Sequence, residues 1–424
     1  MKKRLFLLFL LSAILVSSLF PVYAAEPSTE NAEGVLLYCF HTDSILLEKN
    51  ADQSLAVGNT AQLMTTLLTL EAYPDLTTEV TLTDDLLPGW YAEGDYRTLA
   101  DYGFHKGATL PVKDLLAATV IENANCSSLL LASLIAGSRS AFVERMNARA
   151  QELGMLATVY QNPTGADAEG GVTTARDLLI LAKALYENPD FMALASRPSY
   201  TLSASRFTVY TRNYFIGKWY TADYLYEYAN GMKAGYTDES GYTLLATATE
   251  RDGYSYLAII LGGKEVAFKN TAYALAKSLF QWGSSSFSYR EILSSAKLIT
   301  TLPVENGDKT RSVSLFPKES LNAYLPKALD PDAVTVSYTL NEEKLIAPFE
   351  KGTEVGTVTV SYQGDVIGST PLITGNGVTR SQDADLRDFL IKALKTLLVA
   401  MLILIAVLIL RICLKRYRKK QEDT

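Results

Sequence analysis

The sequence predicts an α+β domain built as an antiparallel sheet with helices, followed by a small all-β domain and one carboxyl-terminal transmembrane helix. Three observations predict it. Strand patterns open the chain, helical spacing dominates its middle, and strands and a last helix return before residue 284, the order of a sheet closed by long-range pairing. Beyond residues 283–286 (GSSS) the helical period vanishes, and RSVSLFP, AVTVSYTL and GTVTVSYQGDVIGSTPLI alternate between turn residues. Residues 396–410 carry no charge, and Lys395 and Arg411 can snorkel from their edges to lengthen a spanning segment.

Residues 1–25 carry Lys2, Lys3 and Arg4 near their start, continue through an apolar run and end in small residues. This is the pattern of a secretory signal cleaved after Ala24 or Ala25, with an uncleaved anchor as the alternative. Residues 35–48 read as two strands around a Thr42–Asp43 turn. In TAQLMTTLLTLEAY, Leu63, Met64, Leu67, Leu68 and Leu70 keep helical spacing, Asn59 or Thr60 can cap the start, and Pro74 stops it. Residues 111–136 read as a helix, a polar break ENANCSS and a second helix closed by Gly137. Thr174 and Asp177 have capping-box spacing at the head of TARDLLILAKALYE, which Pro189 terminates. Residues 242–262 alternate around a hairpin turn at Asp252 and Gly253, and an apolar helix spans 267–282.

The expected boundaries are therefore a signal peptide over 1–25, an α+β domain over 26–284 and a β domain over 285–378. A polar stalk over 379–391, a membrane helix over 392–414 and a basic cytoplasmic tail over 415–424 complete the chain. Arg411, Lys415, Arg416, Arg418, Lys419 and Lys420 put the tail inside and the body outside by the positive-inside tendency. An interfacial helix is the alternative, disfavoured because the apolar residues surround the helix instead of forming a stripe.

The formal charge of −7 argues against a nucleic-acid partner, which needs clustered Lys and Arg. The two histidines, His41 and His105, and three cysteines, Cys39, Cys126 and Cys413, leave too few soft or imidazole ligands for a transition-metal site. No cofactor is expected. Cys39 and Cys126 are available for a disulfide in an oxidising compartment, but no small disulfide-rich module surrounds them.

The stretches LMTTLLTLE, FVERMNARAQELGM, NPTG followed by TTARDLLILAKAL, NGMKAGYTDESGYTLLATA and KLIAPFEKGTEVGTVTV, in this order, resemble the exported D-alanyl-D-alanine carboxypeptidases, the low-molecular-weight penicillin-binding proteins. The likeness covers nearly all of residues 30–378. It implies a β-lactamase/D,D-peptidase-like fold and a serine acyl-transfer site built from S-x-x-K, S-x-N and K-T-G. The resemblance further implies a nucleophilic serine at a helix start, a lysine base one turn on, and a strand whose lysine and threonine hold the substrate's terminal carboxylate. The implied substrate is a peptidoglycan stem peptide.

This chain departs from the pattern at the residues that do the chemistry. The first motif becomes Asn59, Thr60, Ala61, Gln62; the second Asn123, Ala124, Asn125; the third Lys233, Ala234, Gly235. A carboxamide is no practical nucleophile, and Gln62 has no titratable acceptor. No lysine occurs between Lys49 and Lys106, so a shifted register supplies no base. The resemblance leaves Asn125, Lys233, Ala234, Gly235 and Tyr236 as candidate binding positions.

Other residues read as background. Cys126 follows Asn125 but has no neighbouring His or Lys in sequence to activate it. His41 and His105 read as surface residues, and Tyr210, Tyr214, Tyr220, Tyr224, Tyr226 and Tyr228 as either a groove lining or ordinary strand and loop tyrosines. Three readings stand. The expected one is a membrane-anchored, non-catalytic homologue that binds stem peptide or a wall-synthesis protein; the others are a hydrolase with an unrecognised nucleophile and a purely structural interaction protein.

Overall fold

The computed structural model describes residues 25–84, 86, 99–219 and 222–422. The signal segment and Tyr220 lie outside the described residues. The chain divides into two compact units at Phe287/Ser288.

The first unit is organised by a five-stranded antiparallel sheet. Its strands are β1 (Gly34–Cys39), β2 (Ser44–Lys49), β3 (Ala229–Thr237), β4 (Gly241–Thr249) and β5 (Ser255–Gly263), in the order β2-β1-β5-β4-β3. Both faces are covered, and the period-2 alternation sorts the side chains between them. Leu36, Tyr38, Leu245, Leu257 and Ile259 join a large core with the helices α1 (Ala61–Ala72), α2 (Val112–Glu122), α3 (Asn125–Ala136), α4 (Arg139–Leu153), α5 (Ala175–Tyr186) and α6 (Pro189–Ala195). Val35, Leu37, Cys39, Leu244, Ala258 and Ile260 face the other way, onto α7 (Thr271–Ser286). Cys39 and Cys126 belong to these two separate cores and are not bridged to each other.

Helix α1 is buried along nearly its whole length, as a central helix with apolar residues on several sides must be. Its start differs from the sequence reading. Neither Asn59 nor Thr60 caps it: a single 3₁₀ turn, Gly58–Thr60, leads in, and the Thr60 hydroxyl donates back to the Val57 carbonyl instead of accepting from the helix. At α5 the Thr174 hydroxyl does cap, accepting from the Asp177 amide at 3.0 Å.

Helix α7 begins at Thr271, not 267, because Glu265–Val266 and Lys269–Asn270 form a small hairpin and Asn270 caps the helix behind it. Residues 283–286, read as a linker, are its last turn. Gly283 is kept there by packing: a Cβ on it would lie 3.0 Å from Leu37 Cδ2.

The second unit contains a six-stranded sheet of β6 (Thr300–Glu305), β7 (Ser312–Pro317), β8 (Val334–Leu340), β9 (Leu345–Ile346), β10 (Glu354–Tyr362) and β11 (Asp365–Thr374), ordered β8-β10-β11-β7-β6-β9. All pairs are antiparallel except β6 with β9. Val313, Leu315, Val358, Val360 and Leu372 form its core.

Helix α8 (Gln382–Glu422) then runs unbroken for 41 residues, about 62 Å at 1.5 Å per residue. It starts ten residues before the expected span at 392, so most of the polar stretch read as a stalk is helical. The Ser381 amide donates to the Asn306 carbonyl at 2.8 Å and the Arg387 guanidinium to Asn306 Oδ1 at 2.7 Å, tying that stretch to the β domain. Helix α8 is long and apolar enough to cross a membrane.

Candidate functional site

Three chain segments far apart in sequence meet where the start of α1 faces the corner between α2 and α3 and the edge strand β3. Asn59 sits in the 3₁₀ turn ahead of α1, and β3 crosses it so closely that a Cβ on Gly235 would lie 2.5 Å from Asn59 Cβ. Glycine at 235 is therefore a requirement of close approach and not of backbone dihedral. Asn123, between α2 and α3, has φ 62°, a left-handed conformation that asparagine tolerates, and its Nδ2 donates to the Ala234 carbonyl at 2.8 Å. That bond fastens the helical corner to β3.

Behind the surface lies a buried polar chain. Gln62 is fully shielded; its Nε2 donates to Asn125 Oδ1 at 2.9 Å and to the Asn123 carbonyl at 3.3 Å. Its Oε1 accepts from Lys233 Nζ at 2.7 Å, and the same Nζ donates to the Thr119 carbonyl at 2.7 Å. Lys233 is 3% exposed, and both its partners are uncharged oxygens. Burial pushes its ammonium well below the usual lysine range. The two acceptors match the two N–H bonds of a neutral amine, so the network is satisfied without a buried charge.

In front of this chain is an open cleft of about 680 Å³, lined by Asn59, Asn125, Gly235, Tyr236, Arg212 and Asp167 among others. Lys233 is not part of the lining. Lys233, which the resemblance casts as a carboxylate attractor, directs its Nζ to Gln62 Oε1 and the Thr119 carbonyl inside the protein. Ala234 and Tyr236 do line the cleft, as does Asn123. The cation on the wall is Arg212, whose Nη2 lies 3.8 Å from Glu122 Oε1. Sequence reasoning missed Arg212, Glu122, Asp167, Tyr242 and Tyr273, which come from loops and strand or helix ends with no motif of their own; Tyr214, which lines the cleft, stood among the tyrosines it left open.

The remaining candidates fall outside this site. Cys126 is 2% exposed and packs in the helical core. His41 stacks on Tyr254 with ring centroids 4.2 Å apart, and His105 is exposed. Among the described tyrosines, Tyr224, Tyr226 and Tyr228 pack around the second core, and Tyr210 lies edge-on against Trp219.

A family model described as D-alanyl-D-alanine carboxypeptidase matches residues 22–265, and one described as penicillin-binding protein 5, C-terminal domain, matches residues 287–380. The chain belongs to the D-alanyl-D-alanine carboxypeptidase family, the low-molecular-weight penicillin-binding proteins. D-alanyl-D-alanine carboxypeptidase DacC of Escherichia coli (strain K12) is 29% identical over 365 residues, 84% of this chain and 87% of that protein. D-alanyl-D-alanine carboxypeptidase DacF of Bacillus subtilis (strain 168) is 25% identical over 344 residues, 80% and 84%. In fold, the chain is similar to penicillin binding protein 5 from Haemophilus influenzae, with a TM-score of 0.58 at 24% identity over 84% of this chain and 100% of that one. It is likewise similar to the carboxypeptidase DacD from Francisella tularensis, with a TM-score of 0.62 at 18% identity over 85% and 97%.

Proposed function

We propose that this protein is a membrane-anchored, non-catalytic member of its family that acts in peptidoglycan metabolism by binding a wall stem peptide or a wall-synthesis protein. One observation carries the reading: where the family's motif calls for a serine and a lysine, Asn59 and Gln62 stand, and Gln62 is committed on both amide atoms to Asn125 and Lys233. A nucleophile and its base act as a unit, so loss of both removes the acyl-transfer route. The open cleft favours binding over a plugged, purely structural role.

The reading of an active hydrolase finds no support in Cys126, which is buried and is not among the described lining residues. Anchoring rests on α8 and the basic residues after Leu410, which favour a cytoplasmic tail and an external body. The test is release of D-alanine from a pentapeptide ending in D-Ala-D-Ala, with an active relative run beside it. No release above buffer is expected; turnover that survives purification and is abolished by Cys126→Ala refutes the non-catalytic reading.

A further inference from the structure

We propose that the cleft selects a ligand through a primary ammonium group, held at the Tyr236–Tyr242 pair between Asp167 and Asp238, and no longer through a terminal carboxylate. The inference rests on the reading that the cleft still binds, and names the chemistry it binds by.

A carboxylate is held by cations and hydroxyl or amide donors. Here Lys233 is withdrawn into the protein and Ala234 has no hydroxyl. Arg212 is the one cation among the described lining residues, and Glu122 already opposes its charge at 3.8 Å. Asp167 and Asp238 are on the same lining, so the formal charges of the described lining residues sum to a negative value.

The rim also has the shape a cation needs. Tyr236 is 53% exposed, and its ring centroid lies 4.8 Å from that of Tyr242, the two planes inclined at 48°. The Tyr236 hydroxyl donates to Asp238 Oδ1 at 3.2 Å, the Glu239 amide donates to Asp167 Oδ2 at 3.1 Å, and the Tyr242 hydroxyl donates to Glu265 Oε2 at 2.8 Å. Two electron-rich ring faces are thus framed by three carboxylates, the arrangement that attracts an ammonium. The phenols register the same field. The Tyr236 hydroxyl is held above its ordinary value, first by its bond to and the charge of Asp238 and further by Glu265 and Asp167; burial and then Glu265 push Tyr242 to about 12.

The test uses the full-length chain in neutral detergent micelles and three peptides in calorimetric titrations at low salt: Nα-acetyl-L-Lys-D-Ala-D-Ala, its Nα,Nε-diacetyl form, and its carboxyl-terminal amide. Acetylating the side-chain ammonium should weaken binding about tenfold or more, while amidation should change it less than about threefold. Asp167→Asn and Asp238→Asn should each weaken the mono-acetyl peptide about three- to tenfold and leave the diacetyl peptide unaffected. Equal affinity for the mono- and diacetyl peptides overturns this inference and leaves the binding reading intact. A large loss on amidation with indifference to acetylation also overturns it, in favour of carboxylate recognition. Binding of none of the three overturns the stem-peptide reading and this inference with it. The peptide series alters no residue of the protein, so a misfolded variant cannot disguise the result.

Discussion

Replacing Lys233 by Met should remove a pH dependence of stability that the native protein carries. In the folded chain the Lys233 amine is buried against two neutral oxygens and its pKa is depressed by burial; in the unfolded chain it returns to about 10.4. Between these two values the unfolded state holds a proton that the folded state does not. Stability therefore rises with pH across that interval, by at most about 1.4 kcal/mol per pH unit, and levels off above the unfolded value. Methionine fills similar space but leaves Gln62 Oε1 and Thr119 O without their donor, which lowers stability at every pH and leaves no titration at this site. Urea unfolding of the full-length chain, followed by tryptophan fluorescence, reads the relevant unit, because the sequence holds no tryptophan after Trp282 and the second unit begins at Ser288. Over the alkaline range below the unfolded value the native protein should gain stability relative to Lys233→Met as pH rises. Parallel pH profiles for the two proteins, or a native profile that falls relative to the variant, would refute the neutral-amine network.

The same buried chain makes three further claims testable. Gln62→Leu should destabilise the first unit by about 2–4 kcal/mol in the same urea assay, since it removes one of the two acceptors of Lys233 and the Gln62 donor to Asn125 Oδ1; Gln62→Glu should cost less above pH 7, because a carboxylate there pairs with a protonated Lys233. Gly235→Ala should cost about 1–3 kcal/mol by driving a Cβ into Asn59, and Asn59→Gly in the same chain should recover most of it, a coupling read from a double-mutant cycle. Protease added to intact protoplasts should degrade the body and spare a tag on the carboxyl terminus, as a basic cytoplasmic tail requires; loss of the tag contradicts that topology.

Much of the architecture was legible because its signals are local. The α1 spacing, the Thr174 cap, the Asp252–Gly253 hairpin and the alternation of the β domain each depend on a few adjacent residues. What escaped depends on partners distant in sequence. The direction of the Lys233 side chain is set by an acceptor 171 positions away, and the cleft's charges come from loops that share no period with the sheet or helices. The hairpin before α7 turns through Ala267 and Phe268, both at positive φ, where the sequence offers no Asn-Gly signal. Residues 283–286 look like a flexible linker in isolation but continue a helix because Gly283 packs against Leu37 and Tyr256. The motif positions could be aligned by likeness alone, yet their roles could not, since a lysine kept in the sequence proves to be turned away from the cleft.

The central claim is that the acyl-transfer site is chemically empty while the cleft persists. Intact-mass spectrometry of the full-length protein after incubation with a penicillin, beside an active relative treated identically, tests it most directly, because a β-lactam leaves its whole mass on any nucleophile able to be acylated. The relative should gain the mass of one opened penicillin and this protein should gain none; a stoichiometric adduct here, mapped by peptide digestion to any residue lining the cleft, would contradict the account.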